Sequence, residues 1–309
     1  MPKPLIWSAI NISEGRHLEA LTALANSLTS SGLRVADWSA DADHNRSVFS
    51  LVGDADGLLR GLRLIFTWAL QHVDLRQHTG HHPRLGAVDV VPFAPLGRTS
   101  MDEAREVGWN CAETIASEFQ VPIFLYRESS SSQELPVTLP YLRKGGLEKL
   151  AQRLSAGEVA NELGPKLPHP TLGVSVFGAR PPLVAYNCIL DTTDLEIGKT
   201  IASQVREKGG GPRGLQALAF PLEHRGGAIQ ISMNLLEPGI TPPHLAFLKV
   251  DEVARKHGTR VASSELIGLV PQEALRAAFK HFLKLEDLRP NQVAEENLMV
   301  GSDACNELN

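Results

Sequence analysis

The sequence holds 309 residues, 43% hydrophobic and 21% charged, with a formal net charge of -5. That length supports one large domain or two of ordinary size, and the balance leaves no room for extensive disorder. The acidic total argues against a general nucleic-acid binder, and no apolar run approaches the ~20 residues of a membrane span.

Residues 5–12 (LIWSAINI) read as a strand, without the long apolar stretch of a secretion signal. Residues 17–31 carry Leu and Ala at helical spacing, and 33–39 and 47–53 are two further strands joined by a polar loop. A helix over 55–73, a strand over 86–96, a helix over 100–119 and a strand over 121–127 follow. Ser100 and Glu103 form a capping-box signature at the start of the 100–119 helix. Residues 128–172 are polar and then dense in Pro and Gly, with a short helical stretch near 146–155; they read as a connection. The second half repeats the order: strand 182–190, helix 195–208, strands 215–223 and 228–236, helix 242–257, strand 259–268, helix 271–283. A polar tail begins at about 287. Both halves show β-α-β-β-α-β, so an α+β fold of two ferredoxin-like subdomains with a ligand cleft or tunnel is expected, divided as 1–180 and 181–309.

Four stretches carry candidate chemistry. RQHTGHHPRLGAVDV places His78, His81 and His82 before a strand. A His-x-x-His pair converges on a metal only on a helix, which Gly80 and Pro83 oppose, so no metal is expected; one imidazole near neutrality suffices for acid–base work. Polar loop filler is the plainer alternative. SADADHNR crowds Ser39, Asp41, Asp43, His44, Asn45 and Arg46, a set suited to an amino-acid substrate or to an ordinary turn. In NISEGR, Asn11 or Ser13 is expected to cap the next helix with Glu14 in its first turn, unless Asn11 reaches a ligand. ELGPKLPHPTLG is a rigid, partly apolar strip suited to a flat heteroaromatic ring, or a plain linker. Cys111, Cys188 and Cys305 form no CxxC pair, which speaks for reduced thiols and a cytoplasmic location.

These stretches, in this order, resemble the glutamate formimidoyltransferase family, including the N-terminal half of animal formimidoyltransferase–cyclodeaminases. NISEG (11–15), NRSVFSLVG (45–53), HTGHHPRLGAVDVVPFAP (78–95), SMDE (100–103), VPIFLY (121–126), LGPKLPHPTLG (163–173), GAR (178–180), SMNLL (232–236) and LIGLVP (266–271) carry the resemblance. It implies two ferredoxin-like subdomains with a folate tunnel, and transfer of the formimidoyl group from N-formimidoyl-L-glutamate to N5 of tetrahydrofolate in histidine breakdown. The family's catalytic histidine directly precedes Pro-Arg, which is His82 here. Its folate strip falls on Gly164, Pro165, Lys166, Leu167, Pro168, His169, Pro170, Thr171, Leu172 and Gly173. Asn11, Asn45, Arg46 and Arg84 are the expected substrate contacts, and His78 and His81 are candidates to tune His82. Animal members carry an aspartate where this chain has Ser39, so the choice among Ser39, Asp41 and Asp43 stays open. Tetrahydrofolate is the expected co-substrate, without a metal; a homodimer is expected, with a separate cyclodeaminase protein acting on the product. Two alternatives stand beside this reading: a formyl transfer from N-formylglutamate, and folate binding without catalysis.

Overall fold

The computed structural model describes residues 3–80, 84–130, 138–289 and 292–294. The chain forms two compact units, Met1–Pro182 with Ile267–Leu269, and Leu183–Leu266 with Val270–Asn309.

The first unit runs β1 (Ile6–Ile12), α1 (Leu18–Ser30), β2 (Arg34–Asp41), β3 (Arg46–Gly53), α2 (Ala55–His72) and β4 (Val88–Pro95). It continues with α3 (Met101–Phe119), β5 (Ile123–Leu125), α4 (Leu139–Arg143), α5 (Gly146–Ser155) and β6 (Ser175–Ala179). The sheet order is β2-β3-β1-β4-β6-β5. Its first four strands pair antiparallel in the ferredoxin-like arrangement, while β6 lies parallel to both β4 and β5. Leu21, Leu24, Ala25 and Leu28 recur at helical spacing, so α1 turns one stripe into the core. Leu58, Leu62, Ile65, Phe66 and Ala69 do the same on α2. These stripes meet Ile6, Ile10, Ile12, Val91 and Phe93 from the sheet, and each such side chain contributes about 1.5–3 kcal/mol on burial.

The second unit runs β7 (Val184–Leu190), α6 (Leu195–Val205), β8 (Leu215–Leu222), β9 (Ala228–Leu235), α7 (Pro243–Lys256), β10 (Val261–Ile267) and α8 (Gln272–Leu283). Its sheet order, β10-β7-β9-β8, repeats the arrangement of the first four strands of the other sheet. The fold is therefore α+β with two ferredoxin-like units, as the element order predicts.

Three details differ from the sequence reading. The strand expected over 121–127 is shortened to β5, because Arg127–Ser129 turn into a 3-10 helix. The connection contains a second short helix, α4, and is followed by β6, which was not foreseen. Neither Asn11 nor Ser13 caps α1: its N-cap is His17, without a side-chain cap. Ser13 instead sends its hydroxyl to the Gly86 carbonyl at 2.7 Å, and Glu14 lies before the helix rather than in it.

The capping box on α3 is present in full. Ser100 Oγ accepts from Glu103 N–H at 3.2 Å, and Glu103 Oε2 accepts from Ser100 N–H at 2.7 Å. Ser100→Ala is expected to cost about 1 kcal/mol. Circular-dichroism melting should show this as a midpoint about 2–4 °C lower. Cys111 and Cys188 are free and buried, and burial pushes each thiol up to about 12, so both stay protonated. Among the described residues, no helix is long and apolar enough to cross a membrane.

Candidate active site

The loop after β1 is tied to two others. Ser13 N–H donates to Ala87 O at 2.8 Å, and Gly15 N–H donates to Asn45 Oδ1 at 2.9 Å. Gly15 permits this approach, since a Cβ there would lie 2.2 Å from Asp41 O and 2.5 Å from Arg46 N. Glu14 is buried, and its Oε1 accepts from Arg16 N–H at 2.6 Å and His17 N–H at 3.0 Å. Burial works against its charge, but those bonds and the His17 ring hold the carboxyl below its ordinary range.

Asn45 is the clip of this region. It adopts a left-handed φ of 47°, which asparagine tolerates better than most residues. Its Nδ2 donates to Thr79 O at 2.9 Å while its Oδ1 holds Gly15. His78 Nε2 lies 3.2 Å from Asn45 O; a carbonyl only accepts, so the proton sits on Nε2. Burial first, and then Arg84, lowers the His78 pKa, leaving a neutral ring at pH 7. Arg84 Nη2 in turn donates to His78 O at 2.5 Å. The 44–46 turn and the histidine segment therefore brace each other through main-chain atoms.

Asp41 and His44 close the same turn. His44 Nδ1 lies 2.7 Å from Asp41 Oδ2, and His44 N–H donates to Asp41 Oδ1 at 2.9 Å. The His44 ring is the main reason that the Asp41 carboxyl is held at about 2, against an ordinary 3.8. Because that pKa is depressed on folding, the stabilisation is complete above pH 3.8 and is lost as pH falls through 2. Asp41 is about half exposed, so screening keeps the contribution within about 1 kcal/mol. Acid unfolding of wild type and Asp41→Asn should therefore differ near neutrality and converge below about pH 2.

The glycine- and proline-rich strip docks onto residues on either side of the three histidines. Ala87 N–H donates to Leu172 O at 2.9 Å, Val174 N–H to Leu85 O at 3.0 Å, and Leu75 N–H to Thr171 O at 3.0 Å. Gly86 and Gly173 form an antiparallel bridge. The strip closes on itself where His169 and Gly173 exchange main-chain bonds of 2.8 and 2.9 Å. His169 Nδ1 accepts from the N–H groups of Thr171 and Leu172, and burial lowers its pKa, so this imidazole is a neutral turn element. Further back, Gly164 and Pro165 line an open cavity of about 520 Å³ with Glu113, Ser117 and Gln120. Lys166 and Leu167 stand exposed. A second cavity, about 350 Å³, is lined by Glu14, Arg16, Asn45, Asp74, His78 and Thr79.

Of the sequence candidates, Asn45 is joined to His78, His78 to Arg84, and the end of the strip to Leu85 and Ala87, while Arg46 follows Asn45 at the start of β3. Asn11 lies on β1 opposite Val48 and Val90, and its Nδ2 donates to Ala9 O at 3.3 Å. Ser39 is paired with Val48 within the sheet, and Asp43 is exposed. His81 and His82 lie outside the described residues. Asp89 and Arg143 were not anticipated. Asp89 is 2% exposed; its Oδ1 accepts from Leu85 N–H at 2.7 Å and Gly86 N–H at 3.2 Å, and its Oδ2 from Arg143 Nη2 at 2.5 Å. Its signal was a lone charge in an otherwise apolar strand. Asn161 was also missed; its Nδ2 donates to Leu163 O at 2.7 Å and Pro165 O at 3.0 Å, shaping the start of the strip. Among the described residues, no three His, Cys, Asp or Glu side chains group as metal ligands.

Two ferredoxin-like units, the first with polar loops tied together beside its sheet, define the α+β class of this protein. Residues 5–180 match the model of the formiminotransferase domain, N-terminal subdomain, and residues 185–300 match that of the formiminotransferase domain. The chain belongs to the formiminotransferase family. It is 37% identical to "Glutamate formimidoyltransferase" of Streptococcus pyogenes serotype M1, across 94% of this chain and 97% of that one. The protein of the same name from Thermoplasma acidophilum is 32% identical, across 95% and 97%. "Formimidoyltransferase-cyclodeaminase" of Gallus gallus is 34% identical across 92% of this chain but only 53% of its own length.

Proposed function

We propose that this chain transfers the formimidoyl group of N-formimidoyl-L-glutamate to N5 of tetrahydrofolate, releasing 5-formimidoyltetrahydrofolate and L-glutamate. The observation that carries the reading is the match, over 94% of this chain, to a relative named glutamate formimidoyltransferase. The joined loops support it, because one small region presents cationic side chains for an anionic donor and a rigid strip for a ring.

In the mechanism, N5 of tetrahydrofolate attacks the formimidoyl carbon, and its proton must leave as the tetrahedral intermediate forms. The departing glutamate amine needs a proton when its C–N bond breaks. His82 accepts the first and returns it in the second step, which closes the proton balance over one turnover. A positioned acid–base group of this kind contributes about 10²–10⁴-fold. Holding both substrates in register contributes the rest. His78 and His169 are each engaged with main-chain groups, which favours keeping the shuttle elsewhere in the histidine segment. Arg46 and Arg84 hold donor carboxylate, and Asn45 positions the loops around them. Gly164 to Gly173 present main-chain groups and the exposed Leu167 to the folate.

The test is turnover with tetrahydrofolate and N-formimidoyl-L-glutamate, quenched in acid so that the product cyclises to the absorbing methenyl form. N-formyl-L-glutamate runs beside it as rival donor. Product from the formimidoyl donor supports the reading, and product from the formyl donor alone overturns it. The family resemblance extends to a homodimer, which light scattering would report as about twice the chain mass of 33.5 kDa.

A further inference from the structure

We propose that the cavity of about 350 Å³ beside the 14–17 turn is the pocket for the amino-acid donor, and that Arg16 is the side chain there that binds one donor carboxylate and favours a dicarboxylic donor over its amides. The inference rests on the transfer reaction proposed above, and it gives a role to a residue that the sequence motifs left without one.

Arg16 is braced by the protein yet keeps most of its donors. Its Nε–H donates to Ala42 O at 3.1 Å and its Nη1 to Thr79 Oγ1 at 3.3 Å, so the guanidinium spans from the turn between β2 and β3 to the segment before the masking histidine run's Gly80. Thr79 is itself held, because Asn45 Nδ2 donates to its carbonyl at 2.9 Å. A guanidinium has five N–H groups, and these contacts take two of them, which leaves three for a ligand. The residue is exposed, and no carboxylate pairs with its guanidinium among the described residues. A forked cation already fixed at the wall of a cavity loses little freedom on meeting a planar carboxylate, the group its geometry matches.

The rest of the lining suits a small anion that also carries an N–H. The two acids of the wall are already engaged: Glu14 accepts from Arg16 N–H, His17 N–H and the His17 ring, and Asp74 from the Arg76 main chain and guanidinium. A carboxylate only accepts, so the His17 proton shared with Glu14 sits on Nδ1, at 3.1 Å. The His17 side chain is 73% exposed, which leaves Nε2 open to a ligand. His72 gives its Nδ1–H to Trp68 O at 2.8 Å and keeps Nε2 as an acceptor. Gln77, also exposed, adds an amide. A volume near 350 Å³ lies at the lower end of ligand pockets, about 300–1,000 Å³, and fits an amino-acid derivative better than a pterin with its aromatic tail. Thr79 stands three residues before His82 in the chain, so the cavity wall and the proposed proton carrier belong to one segment.

The experiment titrates the donor, L-glutamate and tetrahydrofolate calorimetrically into wild type, Arg16→Gln, Arg16→Lys and Gln77→Trp, which needs no turnover. For Arg16→Gln, the dissociation constants of the donor and of L-glutamate should rise about 10–100-fold, the loss of a hydrogen bond to a charged group, while that of tetrahydrofolate holds. Arg16→Lys keeps the charge and loses the fork, so it should fall between the two. Gln77→Trp fills the cavity from an exposed position, leaves Arg16 and its braces in place, and should block the donor alone. In steady-state assays of Arg16→Gln, donor KM should rise with kcat unchanged. The preference in kcat/KM for the donor over one of its monoamides, N-formimidoyl-L-glutamine or N-formimidoyl-L-isoglutamine, should shrink by the same factor. An arginine that only braced the turn against Thr79 would change stability and leave that preference alone. Unchanged donor affinity in Arg16→Gln and Gln77→Trp, or equal weakening of tetrahydrofolate, overturns this inference alone. Absence of wild-type turnover with the formimidoyl donor overturns the proposed reaction instead.

Discussion

His82→Ala is expected to lower kcat by about 10²–10⁴-fold while leaving folding and tetrahydrofolate binding intact. The magnitude follows from the proton inventory of the reaction. One proton leaves N5 as the new bond forms, and the amine that departs must receive one. A side chain with an ordinary pKa near 6.5 can do both at neutral pH, and alanine can do neither. His78→Ala should behave differently. Its ring is neutral and donates to Asn45 O, so its loss should loosen the 44–46 turn and lower thermal stability more than it changes the chemical step. Steady-state kinetics, folate binding by fluorescence quenching and melting of both variants would separate the two roles. Near-wild-type turnover by a folded His82→Ala would remove His82 from the mechanism.

Gly173→Ala should destabilise the first unit by about 3 kcal/mol, seen as a melting midpoint about 6–12 °C lower. Two costs combine. Gly173 has φ of +70°, where a side chain costs about 1–2 kcal/mol. A Cβ there would also lie 2.3 Å from Leu85 O and 2.6 Å from Leu75 Cδ1. Leu85 is fully buried and its N–H is held by Asp89, so the main chain has little freedom to yield. Gly97→Ala is the control, since Gly97 has φ of +60° and nothing within 4 Å of its added Cβ. It should lose only the conformational part, about 1–2 kcal/mol. Equal losses in the two variants would show that the close approach to Leu85 carries no energy.

The helices and long strands were legible because their apolar residues recur with clear periods, as in α1 and α2. β6 was not, because SVFGA is wholly buried, contains a glycine and follows a proline-rich strip, so neither alternation nor length marked it. α4 was hidden by Pro140, which its first turn accommodates but which reads as a breaker in isolation. In the candidate site, residue types singled out loops that the fold ties together but did not show what each side chain holds there. Ser13 and Glu14 looked like local caps, yet Ser13 bonds a residue 73 positions away. Asn45 looked like a ligand contact, and both ends of its amide hold main chain. Asp89 with Arg143 required the sheet to bring together residues 54 apart, which spacing along the chain does not encode.

The parallel strands β6 and β5 also bear on how the folded chain avoids sticking to itself. In a sheet of only the four ferredoxin-like strands, β4 would be a margin eight residues long, with three valines and one phenylalanine. Such an open margin offers unpaired main-chain groups to any passing chain and invites aggregation. With β6 and β5 added, that margin becomes a strand of three residues, too short to template another. The opposite margin, β2, carries Arg34, Asp37 and Asp41, charges that discourage a neighbour from pairing there. The segment that carries the glycine- and proline-rich strip thus also covers one margin of its sheet.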